Sequence, residues 1–206
     1  LAPADPRQRE IEALRLRRQG DHGAAIDLLA PHVEAGHGDE ESVGILAAAL
    51  KARAEVEGRG ADMARAHELY HRAWRRSQDR NAWLGVNAAT TALYLGRHEV
   101  ARTHAAKVRA VLEERERALQ RRAGTTVALP YYFQTSLAEA LLLEGDEEGA
   151  RRRYRTALAG QRGLAGAKGT TARQASRILD LQGRTRSFRE WLGTTPTGTY
   201  PVEEEA

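Results

Sequence analysis

The sequence predicts an all-α protein built from short helical hairpins laid side by side. Three observations lead there. Apolar residues make up 41% of the chain but aromatics only 5%, so the apolar content is mostly alanine and leucine, which favour helices that approach closely. Strand-like runs of Val, Ile and Thr are missing. Most telling, small residues recur at fixed distances from a series of turns. Take Gly20, Ala61, Gly96 and Gly145 as the turns. Seven residues before each stands Ala13, Ala54, Ala89 and Ala138, and five after each stands Ala25, Ala66, Ala101 and Ala150. Nine after come Leu29, Tyr70, Ala105 and Tyr154, and twelve after come His32, Ala73, Val108 and Ala157. Two antiparallel helices joined by a tight turn come close only where side chains are small. One such pair cannot bury its own apolar face, so neighbours must stack. The expected fold is an α-solenoid of about four pairs plus a C-terminal capping helix.

Element by element, the first pair is expected at 7–19 and 22–34. Gly20 accepts the left-handed conformation that ends its first helix, and Asp21 begins the second. The second pair falls at 40–57 and 62–77, the third at 81–95 and 98–121, and the fourth at 131–144 and 147–161, where Gly145 and Asp146 repeat the turn chemistry of the first. A last helix, 170–182, ends at Gly183, and 186–192, with Phe188, Trp191 and Leu192, folds back as a cap. Residues 121–130 and the glycine-rich 160–169 read as loops. None of the six prolines needs to lie inside a long helix. Residues 1–193 therefore form one repeat domain, and 194–206, TTPTGTYPVEEEA, a polar acidic tail.

Bulk composition narrows the function. The chain has no cysteine, which excludes a disulfide framework, thiol chemistry and Cys-based zinc and agrees with a cytoplasmic location. No apolar run approaches the roughly 18–20 residues that span a bilayer. The chain begins at Leu1 rather than Met, as a piece of a larger protein would. Net charge is +4, and only three of the 32 basic residues are lysine (Lys51, Lys107 and Lys168), the rest being arginine. Arginine is the better phosphate ligand, so nucleic acid has to be weighed, although codon usage in a GC-rich genome produces the same skew.

These offsets are what tetratricopeptide repeats show, although the turns are spaced more widely than the usual ~34 residues. Two stretches resemble a narrower group. NAATTALYLG at 87–96 and YYFQTSLAEALLLEGD at 131–146 are similar to the tetratricopeptide-like TRAF-binding region of apoptosis-signal-regulating kinases and its bacterial relatives. RRYRTAL at 152–158 and ARQASRIL at 172–179 continue the likeness, which covers about residues 40–190. The resemblance implies an all-helical regulatory platform that binds proteins and controls a neighbouring effector in a signalling protein.

One motif competes with that reading. HELYH, His67 to His71, is the spacing of the zinc-protease signature, with both imidazoles on one helical face and Glu68 as the candidate base. Yet Ala66, Tyr70 and Ala73 hold the packing offsets of the second repeat, so His67 and His71 point about 100° away from them. No third ligand follows, since the chain continues Arg72-Ala73-Trp74, and a bulky Tyr70 precedes the second histidine. A structural role is favoured, with no metal and no cofactor. GQRGLAGAKG at 160–169 lacks the Gly-Lys-Ser/Thr order of a phosphate loop; Arg162 and Lys168 are its candidate anion ligands. The arginine runs (Arg72, Arg75, Arg76, Arg80; Arg115, Arg117, Arg121, Arg122; Arg151, Arg152, Arg153, Arg155) are interleaved with Glu113, Glu114, Glu116, Glu147 and Glu148, as on solvated helix faces.

In stacked pairs the first helices line the concave surface. The candidate partner-binding residues there are Trp83, Asn87, Thr90 and Tyr94 from pair three, and Tyr131, Tyr132, Thr135 and Glu139 from pair four, because Tyr and Trp are favoured at binding hot spots. Asn87 sits mid-helix, where asparagine is a poor helix former; it bonds a neighbouring loop or faces a ligand. No nucleophile, base and orienter can be assembled. The function expected is a non-enzymatic scaffold that binds a peptide, a partner protein or itself. An RNA- or anion-binding scaffold using the arginine faces is the alternative, and a zinc hydrolase ranks last.

Overall fold

The computed structural model describes residues 5–159, 165–184 and 187–193. Among these residues it is helical throughout, with no strand: α1 (Pro6–Arg18), α2 (His22–Glu34), α3 (Glu40–Glu57), α4 (Gly60–Arg76), α5 (Ala82–Tyr94), α6 (His98–Ala123), α7 (Tyr131–Glu144), α8 (Glu147–Ala159), α9 (Ala165–Leu181) and α10 (Phe188–Leu192). The chain divides into two compact units, Leu1–Ala101 and Arg102–Ala206.

In the first unit, consecutive helices pack on one another and α1 also meets α3. The alanine offsets explain why. All eight alanines at the two fixed distances are buried, none more than 7% exposed. The spaces between helices are filled by Leu29, Leu46, Leu50, Tyr70, Trp74 and Leu84, all buried. Asp5, Asp21, Asp39 and Asn81 cap α1, α2, α3 and α5 through their side-chain oxygens, satisfying amides that have no intrahelical partner. Glu10 is 3% exposed and accepts a 2.7 Å hydrogen bond from the Ser42 hydroxyl and one of 2.9 Å from Arg7. This ties α1 directly to α3.

In the second unit, α7 packs on α8 and on α9, and α10 lies against α9 and α8. Tyr154, Leu137, Leu142, Ile178 and Leu179 form its core. Arg109 of α6 bonds Glu144 of α7 through Nε at 2.7 Å, and Arg153 of α8 bonds Glu116 of α6 at 2.6 Å. Gly145 closes α7 in the left-handed region, at φ +94°, and Asp146 Oδ1 accepts the Gly149 amide at 2.9 Å, as the turn chemistry predicts.

The structure corrects the sequence reading in three places. The second hairpin turns at Gly58, which is left-handed and caps α3, so α4 starts at Gly60 and Ala61 is already helical. Pro31 lies inside α2; it is exposed, so the carbonyl its missing amide leaves without a helical partner is open to water. The last long helix begins at Ala165, not at 170, and takes up half of the expected glycine-rich loop. The turn between α4 and α5 holds a different surprise. Gln78 and Asp79 are both left-handed, with φ of 55° and 60°, and neither is glycine. Trp74 O accepts the Asp79 amide at 3.1 Å, and Arg75 pairs with the Asp79 carboxylate.

Candidate functional site

The α5 face is built on α3. Gly44 of α3 leaves a slot in which the Trp83 indole sits: a Cβ placed on Gly44 would lie 2.3 Å from Trp83 Cζ3 and 2.6 Å from Cη2. The ring meets Tyr70 edge-on, with centroids 6.1 Å apart, and is still 44% exposed. Asn87 Nδ2 donates to the Trp83 carbonyl one turn earlier, at 2.9 Å. Its amide thus bonds back onto its own helix rather than to a neighbouring loop. Two further turns on, Tyr94 donates its hydroxyl to Glu55 of α3, and the Lys51 ammonium stands 5.8 Å from the Tyr94 ring centroid and 4.0 Å from Glu55. Trp83, Asn87 and Tyr94 therefore run along one side of α5, with Lys51 and Glu55 beside its end. Thr90 is different: it is 0% exposed and belongs to the interior. Lys51 and Glu55 escape a search for aromatic and Asn positions. The signal that could have found this wall is Gly44 itself, because a glycine inside an alanine-rich helix usually marks close packing.

The other candidate face lies on α7, in the second unit. Tyr132 is 66% exposed. Tyr131 beside it is buried, and its hydroxyl donates to Thr171 of α9 at 2.8 Å; burial pushes its pKa above the usual phenol value. Thr135 is buried too and bonds the Tyr132 carbonyl at 3.3 Å. Glu139 is half-buried and accepts from Gln174 Nε2 at 2.8 Å. Of the eight candidate residues, Thr90, Tyr131 and Thr135 serve packing, while Trp83, Asn87, Tyr94, Tyr132 and Glu139 reach the surface. Lys168 donates to the Leu158 carbonyl at 3.2 Å and so covers the end of α8. Arg162, its expected companion, lies outside the described residues.

The HELYH histidines lie on α4 with their rings parallel, 6.1 Å apart. His67 is buried against α5, its Nδ1 3.1 Å from the Ala88 carbonyl and 3.2 Å from the Thr91 hydroxyl. A nitrogen placed beside a carbonyl carries the proton and donates, and is closed to a metal in that state. Burial lowers the His67 pKa, with Arg97 and His71 adding to the effect against the pull of the Ala88 bond. Among the described residues, no three His, Cys, Asp or Glu side chains gather as a metal ion requires.

Much of the arginine content is matched by carboxylate. Arg117 and Arg121 share Glu114 at 3.0 and 2.9 Å, Arg152 faces Glu148 at 3.5 Å, Arg72 faces Glu68 at 3.7 Å, and Arg153 holds Glu116. Interleaved charges of both signs do not make the continuous positive face that a phosphate backbone requires.

Hairpin after hairpin, meeting through alanine and closed by left-handed glycine, defines a protein of tetratricopeptide-like helical repeats. Residues 1–93 match the family Tetratricopeptide Repeats-Sensor. Among solved structures, the chain is similar to the nearly identical TPR-like repeats of a Podosopora anserina protein provisionally assigned as a kinesin light chain. The TM-score is 0.50 in a single-substitution form, with 17% identity over 90% of both chains. MamA AMB-1 is similar at a TM-score of 0.43 and 18% identity, over 89% of this chain and 92% of that one. At such identity the first of these likenesses speaks to fold alone. No curated protein matches the chain in sequence.

Proposed function

We propose that the chain is a non-enzymatic protein-interaction platform that binds a peptide or partner protein along the α5 face, that the α7 face with Tyr132 and Glu139 is a contact surface in its own right, and that such binding regulates a linked effector. The observation that carries the reading is the half-exposed Trp83 held in the Gly44 slot. A large aromatic fixed in one orientation offers contact area with little ordering cost, which is what a hot spot requires. Asn87 and Tyr94 extend that surface, and Glu55 gives it a polar border, held in place by the buried Lys51 beneath Tyr94. Tetratricopeptide-like repeats are in general protein-interaction scaffolds. The regulatory part rests on the sensor family matched over 1–93 and on the likeness of 87–96 and 131–146 to the TRAF-binding region of apoptosis-signal-regulating kinases. The repeat domain of 1–193, the cytoplasmic setting and the absence of a catalytic centre belong to the same reading.

The test is a peptide-display library panned against the chain, followed by titration of the selected peptides. Trp83→Ala should weaken peptides that use the α5 face, and Tyr132→Ala those that use the α7 face, by about tenfold or more, the loss expected of a hot-spot truncation of over ~1.4 kcal/mol, with secondary structure retained. Peptides that bind both variants as tightly as the parent chain would remove the α5 and α7 faces from consideration. A fluorescent single-stranded RNA serves as the competing probe; tight binding that weakens steeply with salt would favour the arginine faces instead.

A further inference from the structure

Helix α3 opens with Glu40 and Glu41 in its first turn, and the two fare differently. Glu41 meets the Arg7 guanidinium at 2.9 Å, which also reaches Glu10 at 2.9 Å. Glu40 is exposed, and among the described residues no cation pairs with it. Its bond comes from a neutral group: Asn81 Nδ2 donates to Glu40 Oε2 at 2.8 Å. Asn81 uses both ends of its side chain at this joint, since its Oδ1 accepts the Leu84 amide at 3.3 Å and caps α5. Acidic residues in a first turn suit the helix dipole, which accounts for the presence of both glutamates. It does not account for one of them being fixed by an amide that leaves its negative charge uncompensated. Glu40 stands four residues before Gly44, on the same face of α3 and about one turn away. Gly44 is the slot that seats Trp83, and Asn81 lies two residues before Trp83. The open carboxylate and the half-exposed indole therefore lie side by side. Each is oriented from behind, one by Asn81 and the other by Gly44 and the edge-on contact with Tyr70.

The geometry points to a basic side chain, arginine or lysine, as the group that a bound peptide places on Trp83, its alkyl stem against the indole and its charged end at the Glu40 carboxylate; this rests on the reading of the α5 face as a peptide-binding surface. Three effects agree. A cation is drawn to an indole ring from within about 6 Å of its centroid. Long basic side chains cover apolar surface with their stems while the charge stays in water. A carboxylate beside the ring then supplies a charge-assisted hydrogen bond. Neither group selects alone, since an exposed ion pair contributes little and a bare aromatic accepts any apolar side chain. Together they favour arginine over a neutral group of the same shape, and they reject an acidic side chain, which would meet Glu40 at close range. At the other end of the strip, Glu55 already accepts the Tyr94 hydroxyl and faces Lys51 at 4.0 Å. Glu40 is the carboxylate left for a ligand.

The full chain is titrated with three fluorescein-labelled peptide libraries, randomised over uncharged residues around one fixed central residue: arginine, citrulline (which keeps arginine's shape without its charge) or glutamate. The arginine library should bind about tenfold tighter than the citrulline library, and the glutamate library weakest of all. Glu40→Gln keeps an acceptor for Asn81 and should erase most of the arginine preference, and Glu40→Lys should turn it toward glutamate. Circular dichroism melts check that each variant folds; should Glu40→Lys fail to, the ratio of arginine to citrulline binding in the wild-type and Glu40→Gln chains decides alone. Equal binding of those two libraries by the wild-type chain, with both weakened by Trp83→Ala, overturns the inference and leaves the α5 face standing. A preference for arginine that survives Glu40→Gln overturns it as well, because the cation is then met elsewhere. Binding of all three libraries unchanged by Trp83→Ala removes the α5 face and the inference with it.

Discussion

Replacing Gly44 with alanine places a methyl carbon 2.3 Å from Trp83 Cζ3, where ordinary carbon contacts lie at about 3.5–4.0 Å. The indole has to retreat by more than an ångström, and with 44% of the residue already exposed its open direction is outward. An aromatic side chain covers roughly 150–250 Å², so expelling this half-covered ring returns about 100 Å² to water. At about 25 cal/mol per Å² that costs about 2.5 kcal/mol, and the better helix propensity of alanine gives back about 0.5–1 kcal/mol. The net loss of about 2 kcal/mol corresponds to a melting midpoint lower by about 4–8 °C for a chain of this size. Thermal melts followed by circular dichroism measure it, with a red shift of tryptophan emission as the second reading. Gly60→Ala is the control, since a Cβ there meets nothing within 4 Å, and it should leave the midpoint unchanged or raise it slightly. A Gly44→Ala chain that melts no lower than the parent would refute the slot as the support of Trp83.

Other perturbations follow from the same contacts. Glu10→Ala leaves the buried Ser42 hydroxyl without its acceptor and should destabilise the first unit by about 1–3 kcal/mol; urea titration measures it, and a change under half a kcal/mol would count against the α1–α3 tie. Gly145→Ala forces a side chain into the left-handed region at about 1–2 kcal/mol, which the same titration reads. Acid should weaken the fold in two windows. Burial lowers the pKa values of His67 and His22, so the unfolded chain takes up protons first. Their contribution is whole above the unperturbed value of about 6.5 and fades as the pH falls from there through the depressed folded values. Asp62 is held low by its bond from Arg53, and Asp39 by the Ser42 amide; their contribution is present above about 3.9 and lost as the pH falls through the folded values. Melting midpoints across pH 3 to 8 check both windows, and His67→Asn should flatten the upper one.

The hairpins were legible because three of the four turns are written twice, once in glycine and once in the alanines at fixed distances from it, and the second shows the same alanine spacing. The second turn slipped to Gly58 because Gly58-Arg59-Gly60 offers two glycines, and the left-handed one ends α3 before Ala61 is reached. Gly166 and Gly169 read as loop residues by propensity, yet Tyr131 bonds Thr171 and the Ala167 carbonyl, and packing of this kind overrides propensity. The site was harder. Trp83, Asn87, Thr90 and Tyr94 share one helical face, and periodicity cannot say which of them a neighbouring helix covers. Thr90 proved interior, while Trp83 found its seat in a glycine 39 positions earlier on another helix. Contacts between elements decide such matters, and a single helix does not encode them.

The joint between α4 and α5 has a consequence for engineering. Two successive side-chain-bearing residues hold a mirror-handed backbone at Gln78 and Asp79, each at a cost of about 1–2 kcal/mol. Neighbouring bonds offset that cost: the Asp79 amide to Trp74, the Arg75 pairing, and the Ser77 hydroxyl accepting the Asn81 amide at 3.0 Å. The bend four residues upstream of Trp83 is thus braced rather than relaxed. Gln78→Gly would relieve it, which makes position 78 the place where a single achiral residue adds robustness to the fold without touching its core.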